Sequence, residues 1–120
     1  MNKFNTELII DHITSDAVDI QKKIAKKALN RVVDGSPVKS GHYKKNNQVS
    51  IDTRSYSEVP GTDPSGSAAQ RTGNVKIDQV KDLGHKIIIH NEVPYADKIE
   101  FGHSSQAPNG NYRLAGIGLV

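Results

Sequence analysis

This 120-residue chain predicts an α+β domain: a long N-terminal amphipathic helix packed on a small, mostly antiparallel sheet, with a long polar loop and a short helix near the C-terminal part. Three observations carry that expectation. Apolar residues recur at spacings of three and four through the first quarter of the chain. Gln48 to Asp52 alternates, with Val49 and Ile51 on one face and polar residues on the other. Three consecutive isoleucines, Ile87 to Ile89, stand between polar residues, as in a central strand covered on both faces. The length fits one domain over 1–120.

The helix is expected over about Thr6 to Val33. Its stripe is Ile10, Ile13, Ala17, Ile20, Ile24, Ala28 and Val32, widened by Val18, Ala25 and Leu29. Lys22, Lys23 and Lys26 project to the opposite side with Asp16 and Asp19, and Asp19 is placed to pair with Lys23 one turn on. Asn5 or Thr6 supplies an N-cap. Asp34, Gly35, Ser36 and Pro37 end the helix with a left-handed position and a residue that cannot continue it. The stripe is wider than one sheet face needs, which suits burial against both the sheet and a neighbouring subunit.

Beyond the Gln48 to Asp52 strand, Thr53 to Asn74 holds Pro60, Gly61, Pro64, Gly66 and Gly73 among Ser, Thr and Asp, and reads as an extended loop or arm. Val75 to Val80 reads as a second strand, Asp82, Leu83 and Gly84 as a turn, and His85 to His90 as the third strand. In the short helix from Tyr95 to Phe101, Tyr95, Ala96 and Ile99 share a face while Asp97, Lys98 and Glu100 face away. Gly102 closes that turn with a backbone angle open to glycine. Asn109, Gly110 and Asn111 make a further turn. The apolar edge that follows, Tyr112, Leu114, Ile117 and Leu119, is too rich in glycine for a firm helix.

Composition narrows the function classes. With Phe4, Phe101, four tyrosines and no tryptophan, the core must be built mainly from Ile, Val, Leu and Ala. Absence of cysteine excludes disulfides, thiolate metal sites and cysteine nucleophiles. No apolar run approaches the roughly 20 residues that span a bilayer, and Met1 to Thr14 lacks the pattern of a signal peptide. Net charge is +3, unevenly spread: Gln21 to Arg54 carries nine Lys or Arg against Asp34 and Asp52, whereas the remainder has seven bases and eleven acids. Such a basic region suits DNA phosphates or an acidic partner. It better suits a solvated helix, since the acids Glu7, Asp11, Asp16 and Asp19 precede the bases in the order the helix dipole favours.

Residues that invite a chemical reading do not assemble into a site. His85, Asp82, His90, Glu92 and His103 are metal-ligand types, but a strand puts His85 and His90 on opposite faces and no HExxH spacing exists. Asp97 and Glu100, three apart on a polar helix face, read as solvated. Ser104 and Ser105 beside His103 lack the strand-turn-helix elbow of a hydrolase. The glycines from Gly61 to Gly73 match no phosphate-cradling motif.

Two separated stretches carry a family resemblance. Ser36, Pro37, Val38, Lys39, Ser40, Gly41 and His42 follow the helix. Asn91 to Gly110 reads NEVPYADKIEFGHSSQAPNG. In this order they resemble the neck or tail-completion (head-tail joining) family of tailed bacteriophages, with Lys39 where the family has an acid and His42 at its basic position. The resemblance implies a structural virion protein without catalytic activity, cofactor or metal. It implies a homo-oligomeric ring, six-fold or a multiple, at the head-tail junction. Such a ring joins the head connector to the tail and leaves a channel through which DNA passes without sequence-specific contact. Assembly would take place in the host cytoplasm. It further implies that Pro37 and Gly41 shape the helix-to-strand loop, and that Asn91, Pro94, Tyr95, Glu100, Gly102, Gln106, Ala107 and Pro108 shape the strand-to-loop junction. The 53–74 segment would reach a neighbour or line the channel, with plain disorder the alternative its composition offers, and a C-terminal arm, where relatives have one, would be short or missing. The alternative is a small basic DNA-binding protein of a phage or prophage, with Lys22, Lys23, Lys26, Lys27, Arg31, Lys39, Lys44 and Lys45 on phosphates and nothing to read bases.

Overall fold

A computed structural model describes residues 6–11, 17–102 and 104–119. Its elements run β1 (Glu7–Ile10), α1 (Val18–Asp34), α2 (His42–Lys45), β2 (Asn47–Ile51), α3 (Ser67–Asp78), β3 (Ile87–Asn91), α4 (Ala96–Glu100) and α5 (Tyr112–Gly116). The three strands form one antiparallel sheet in the order β1-β3-β2.

The isoleucine run is the central strand, and every residue of β3 is buried. Pairing of Leu8 and Val49 with Ile89, and of Ile10 and Ile51 with Ile87, puts these side chains on one face. That face packs on α1 and α3 through Ala25, Ala28, Leu29, Val32, Ala69 and Ile77.

Four expectations are corrected. The first turns of the predicted helix are β1. In Glu7–Ile10 the inward residues are Leu8 and Ile10, a period of two that pairing with the β3 isoleucines stabilises and that a three-and-four count over Ile10, Ile13 and Ala17 disguises. Asn5, Ile13 and Asp16 lie outside the described residues. Within α1 the buried stripe is also rotated. Ile20 is exposed, while Gln21 is buried and donates from Nε2 to Ile10 O at 3.0 Å and His85 O at 2.7 Å.

The helix does end at Asp34, but Gly35 has φ −80° and not a left-handed angle. Its N–H bonds Arg31 O, and Ser36 N–H bonds Val33 O.

The expected loop holds over 53–66, but its last residues and the Val75 to Val80 strand are replaced by α3 over Ser67–Asp78. Ala69, Gly73 and Ile77, four apart, form its buried stripe, and Val75, expected inside, is 58% exposed. Gly73, a poor helix residue, is there for space, because a Cβ would strike the Leu29 and Val49 side chains. Reading glycine as a loop marker missed this close approach of two helices and a strand.

Asp97 and Glu100 are buried, not turned outward, and the chain after α4 folds back to Glu100, bringing it the amides of Asn111, Tyr112 and Arg113. The same return forms α5 over Tyr112–Gly116, where the sequence had discouraged a helix.

Candidate functional site

The two motif stretches meet in one junction. Gly41, at φ 90°, precedes the single turn of α2, and a Cβ there would run into the backbone of Asp63 and Pro64. α2 points Tyr43 inward, where Tyr43, Val93, Ala96, Ile99 and Ala107 make a second, small core separate from the main one. Burial pushes the Tyr43 and Tyr112 hydroxyls well above the usual phenol range.

Around this core, polar side chains of the second stretch and of Asn111 hold backbone from several parts of the chain. Asn91 Nδ2 donates to Tyr43 O at 2.9 Å and Asn47 Oδ1 at 3.2 Å, and Asn91 Oδ1 accepts Val93 N–H at 3.2 Å. Gln106 takes both main-chain polar groups of residue Val38, N–H to Oε1 at 2.8 Å and Nε2 to C=O at 3.0 Å. The Glu100 carboxylate caps the start of α5, accepting N–H groups of Asn111, Tyr112 and Arg113. Asn111 Nδ2 donates to Val32 O at 2.9 Å, joining the end of α1 to the same point. Gly102, at φ 84°, lies so close to the Pro108 carbonyl that no Cβ fits.

Of the residues singled out from sequence, Asn91, Glu100, Gly102, Gln106 and Ala107 are thus brought together with Gly41. Pro37 is buried beside them. Pro94 and Pro108 are exposed at the turns, and Tyr95 is 40% exposed. Between Pro37–Tyr43 and Tyr95–Gln106 lies an open cleft of about 590 Å³.

Apart from Lys39, which borders that cleft, the basic residues do not gather with them. Lys22 and Lys26 lie 3.8 and 2.7 Å from Asp78 on α3. Arg31 donates to Ala115 O at 3.0 Å and Ile117 O at 2.8 Å, closing the C-terminal turn onto α1. Lys44 and Lys45 lie beside Gly66 and Gly61, while Lys23, Lys27 and Lys39 are exposed.

Sequence reasoning missed a buried network on the other face of the sheet. Arg54 donates from Nε to Glu92 at 2.6 Å, from Nη1 to Glu7 at 2.9 Å and from Nη2 to Asn91 O at 3.3 Å, with the Tyr56 ring 5.1 Å away. His90 bridges Glu92 through Nδ1 and Ser50 through Nε2, both at 2.7 Å. Burial pushes the His90 imidazole below its ordinary pKa. The neutral ring donates to Glu92 and accepts from the Ser50 hydroxyl. Ser50, His90 and Glu92 thus stand in the order of a nucleophile, a base and an orienting acid. Here the acid is held by Arg54, and the Ser50 oxygen also accepts Ser55 N–H at 3.3 Å. The set ties strand to strand. His90 and Glu92, two apart at a strand end, were the only local signal; Ser50 and Arg54 join through pairing register.

Residues 53–61 cross this face as a strap. Asp52, at φ 66°, makes the sharp entry, with Thr53 N–H bonded to Ile51 O at 2.8 Å. Ser55 N–H then meets Ser50 Oγ, Ser57 O meets Gln48 Nε2 at 3.1 Å, and Val59 meets Asn46 through both N–H (2.7 Å) and C=O (2.9 Å). Each step of two along β2 matches a step of two back along the strap. Its polar contacts therefore follow an antiparallel register made by side chains. Histidines hold its two ends: His85 between Asp52 and Asp82, and His42 between Glu58 and Gly61 O. The Glu58 hydrogen bond raises the His42 pKa, and the Asp52 hydrogen bond raises that of His85.

Among the described residues, no three His, Asp or Glu side chains are placed to hold a metal ion, and no helix is long and apolar enough to cross a membrane. No protein-family model matches the chain, and neither the curated proteins nor the solved structures contain a significant match.

Proposed function

We propose that this chain is a structural subunit of a tailed-bacteriophage neck, assembling with copies of itself into a ring that joins the head connector to the tail and leaves a channel for DNA. One observation carries the reading most: the two stretches that resemble the family, separate in sequence, meet through Gln106 and Val38, while Asn91 bonds Tyr43, the residue that follows the first stretch, and Gly102 packs on Pro108 within the second. These residues are occupied in fixing backbone. That is the use a mechanical joint makes of them, and it leaves their side chains bonded within the junction. The role is mechanical: each copy is a rigid block whose loops keep one shape while neighbouring rings dock and DNA passes.

Imaging of particles that contain this chain tests the reading. A ring between head and tail is expected, with heads and tails separating when the chain is deleted. Density elsewhere in the virion, or normal joining without it, would overturn the proposal. The basic DNA-binding alternative is weakened by the ties of Lys22 and Lys26 to Asp78 and of Arg31 to backbone carbonyls. The purified chain is expected to bind duplex DNA weakly and without sequence preference. Tight, sequence-selective binding at physiological salt would favour that alternative.

A further inference from the structure

β2 is an edge strand with unused backbone groups. Asp52 N–H donates to Lys86 O at 2.8 Å. Because bonded and non-bonded pairs alternate along an antiparallel ladder, residues 48, 50 and 52 turn their amides and carbonyls toward β3, and Asn47, Val49 and Ile51 turn theirs away. Ile51 O accepts Thr53 N–H. The other outward groups, on Asn47 and Val49 and the Ile51 N–H, bond no other described residue.

These groups open into a groove. The strap forms one wall and α3 the other, leaving two adjoining hollows of about 470 and 260 Å³ that share Gln48, Val49 and Lys76. Asn46, Gln48 and Ser50 hold the strap through side chains, so it covers the face of β2 and leaves the edge open. The ionisable side chains lining the hollows are Lys45, Lys76 and His85, and none is acidic.

We propose that this groove receives an extended, acidic segment of a different protein, which adds to β2 as a fourth strand. Backbone hydrogen bonds to Asn47, Val49 and Ile51 supply the binding, as in other strand additions to an open edge. Lys45 and Lys76 select acidic side chains. A second copy is a poor occupant by charge: the chain carries +3, and the only acid of its own edge strand β1, Glu7, is held by Arg54. The groove chemistry stands independently of the neck reading.

The test is a titration of the isotope-labelled chain with a short blocked peptide of alternating Val and Glu, and separately with its Val and Lys counterpart, followed by amide shifts and hydrogen exchange. The Glu peptide is expected to shift and protect the amides of Asn47, Val49 and Ile51. Val49→Pro removes one outward N–H and no ladder bond to β3, and should abolish binding. Lys76→Glu, at an exposed site, should weaken the Glu peptide about fivefold and favour the Lys peptide. Binding of neither peptide, equal binding of both, or shifts confined to β1 would overturn the proposal. So would protection of the same amides by self-association without peptide, which would assign the groove to a second copy.

Discussion

The Gln106 side chain pairs with both main-chain groups of Val38, accepting its N–H at 2.8 Å and donating to its C=O at 3.0 Å. Two segments 68 residues apart are joined as if by one bridge of a sheet, with a side-chain amide standing in for backbone. Gln106→Glu replaces the donor by a second acceptor facing Val38 O. The expected cost is about 1 kcal/mol, since these bonds are exposed. Chemical denaturation should show a lower midpoint at unchanged slope; an unchanged midpoint would mean that the junction is not held there.

Gly102 and Gly84 separate conformational strain from crowding. Both have positive φ, but a Cβ at Gly84 meets nothing within 4 Å, whereas one at Gly102 meets the Pro108 carbonyl. Gly84→Ala should cost about 1 kcal/mol from the backbone angle alone. Gly102→Ala should cost clearly more, and under the neck role proposed above Gly102→Val should yield heads and tails that fail to join. Equal losses in thermal melts of the two alanine variants would show that the 102–108 contact is loose.

Glu100→Gln measures a cap. The amide keeps the Oε1 that accepts Asn111 and Tyr112 N–H but sets an N–H against that of Arg113. A loss of about 1 kcal/mol is expected, rising to about 2–3 kcal/mol in Glu100→Ala, where buried donors lose their acceptor. Under the proposed neck role, joining should fall in step with stability. Full stability with total loss of function in the Gln variant would instead point to chemistry at this carboxylate.

The strap should loosen with alkali. His42 and His85 have folded-state pKa values raised above the ordinary 6.5, so their stabilisation is complete below that value and is lost as pH rises through the raised values. Asp52, held below its ordinary 3.8 by the His85 hydrogen bond, loses its contribution as pH falls through that depressed value. The His85 clip therefore works between the two. Protection of the Val59 N–H, corrected for intrinsic exchange, should drop on going from mildly acidic to alkaline buffer, and His42→Gln should flatten that dependence. Protection that is constant or rises with pH would refute the clip.

The parts of this protein legible in the sequence are those whose cause is local. Ile87 to Ile89 needs no partner to read as a doubly covered strand, and the alternation about Val49 and Ile51 needs none to read as half-buried. Pro37 stops a helix wherever it stands, and Gly102 suits a positive φ for reasons of its own missing side chain. The class of fold followed from these. Many residues of the junction could be named before their contacts were visible.

What only the tertiary structure decided were choices between conformations of similar local merit. Glu7–Ile10 satisfies a helical count and a strand count almost equally. The isoleucines of β3, some eighty residues later, select the strand by offering it an edge. Ser67–Asp78 has the composition of a loop, yet it becomes helix because Gly73 lets it lie against Leu29 and Val49. Glu100 reads as a solvated carboxylate until the returning chain brings the amides of Asn111, Tyr112 and Arg113 to it. Arg54, in a polar run with no local signal, is drawn inside by Glu7 and Glu92, residues that pairing register alone makes its neighbours. Local propensity differs among such states by only about 1 kcal/mol per residue, and long-range burial and hydrogen bonding outweigh it.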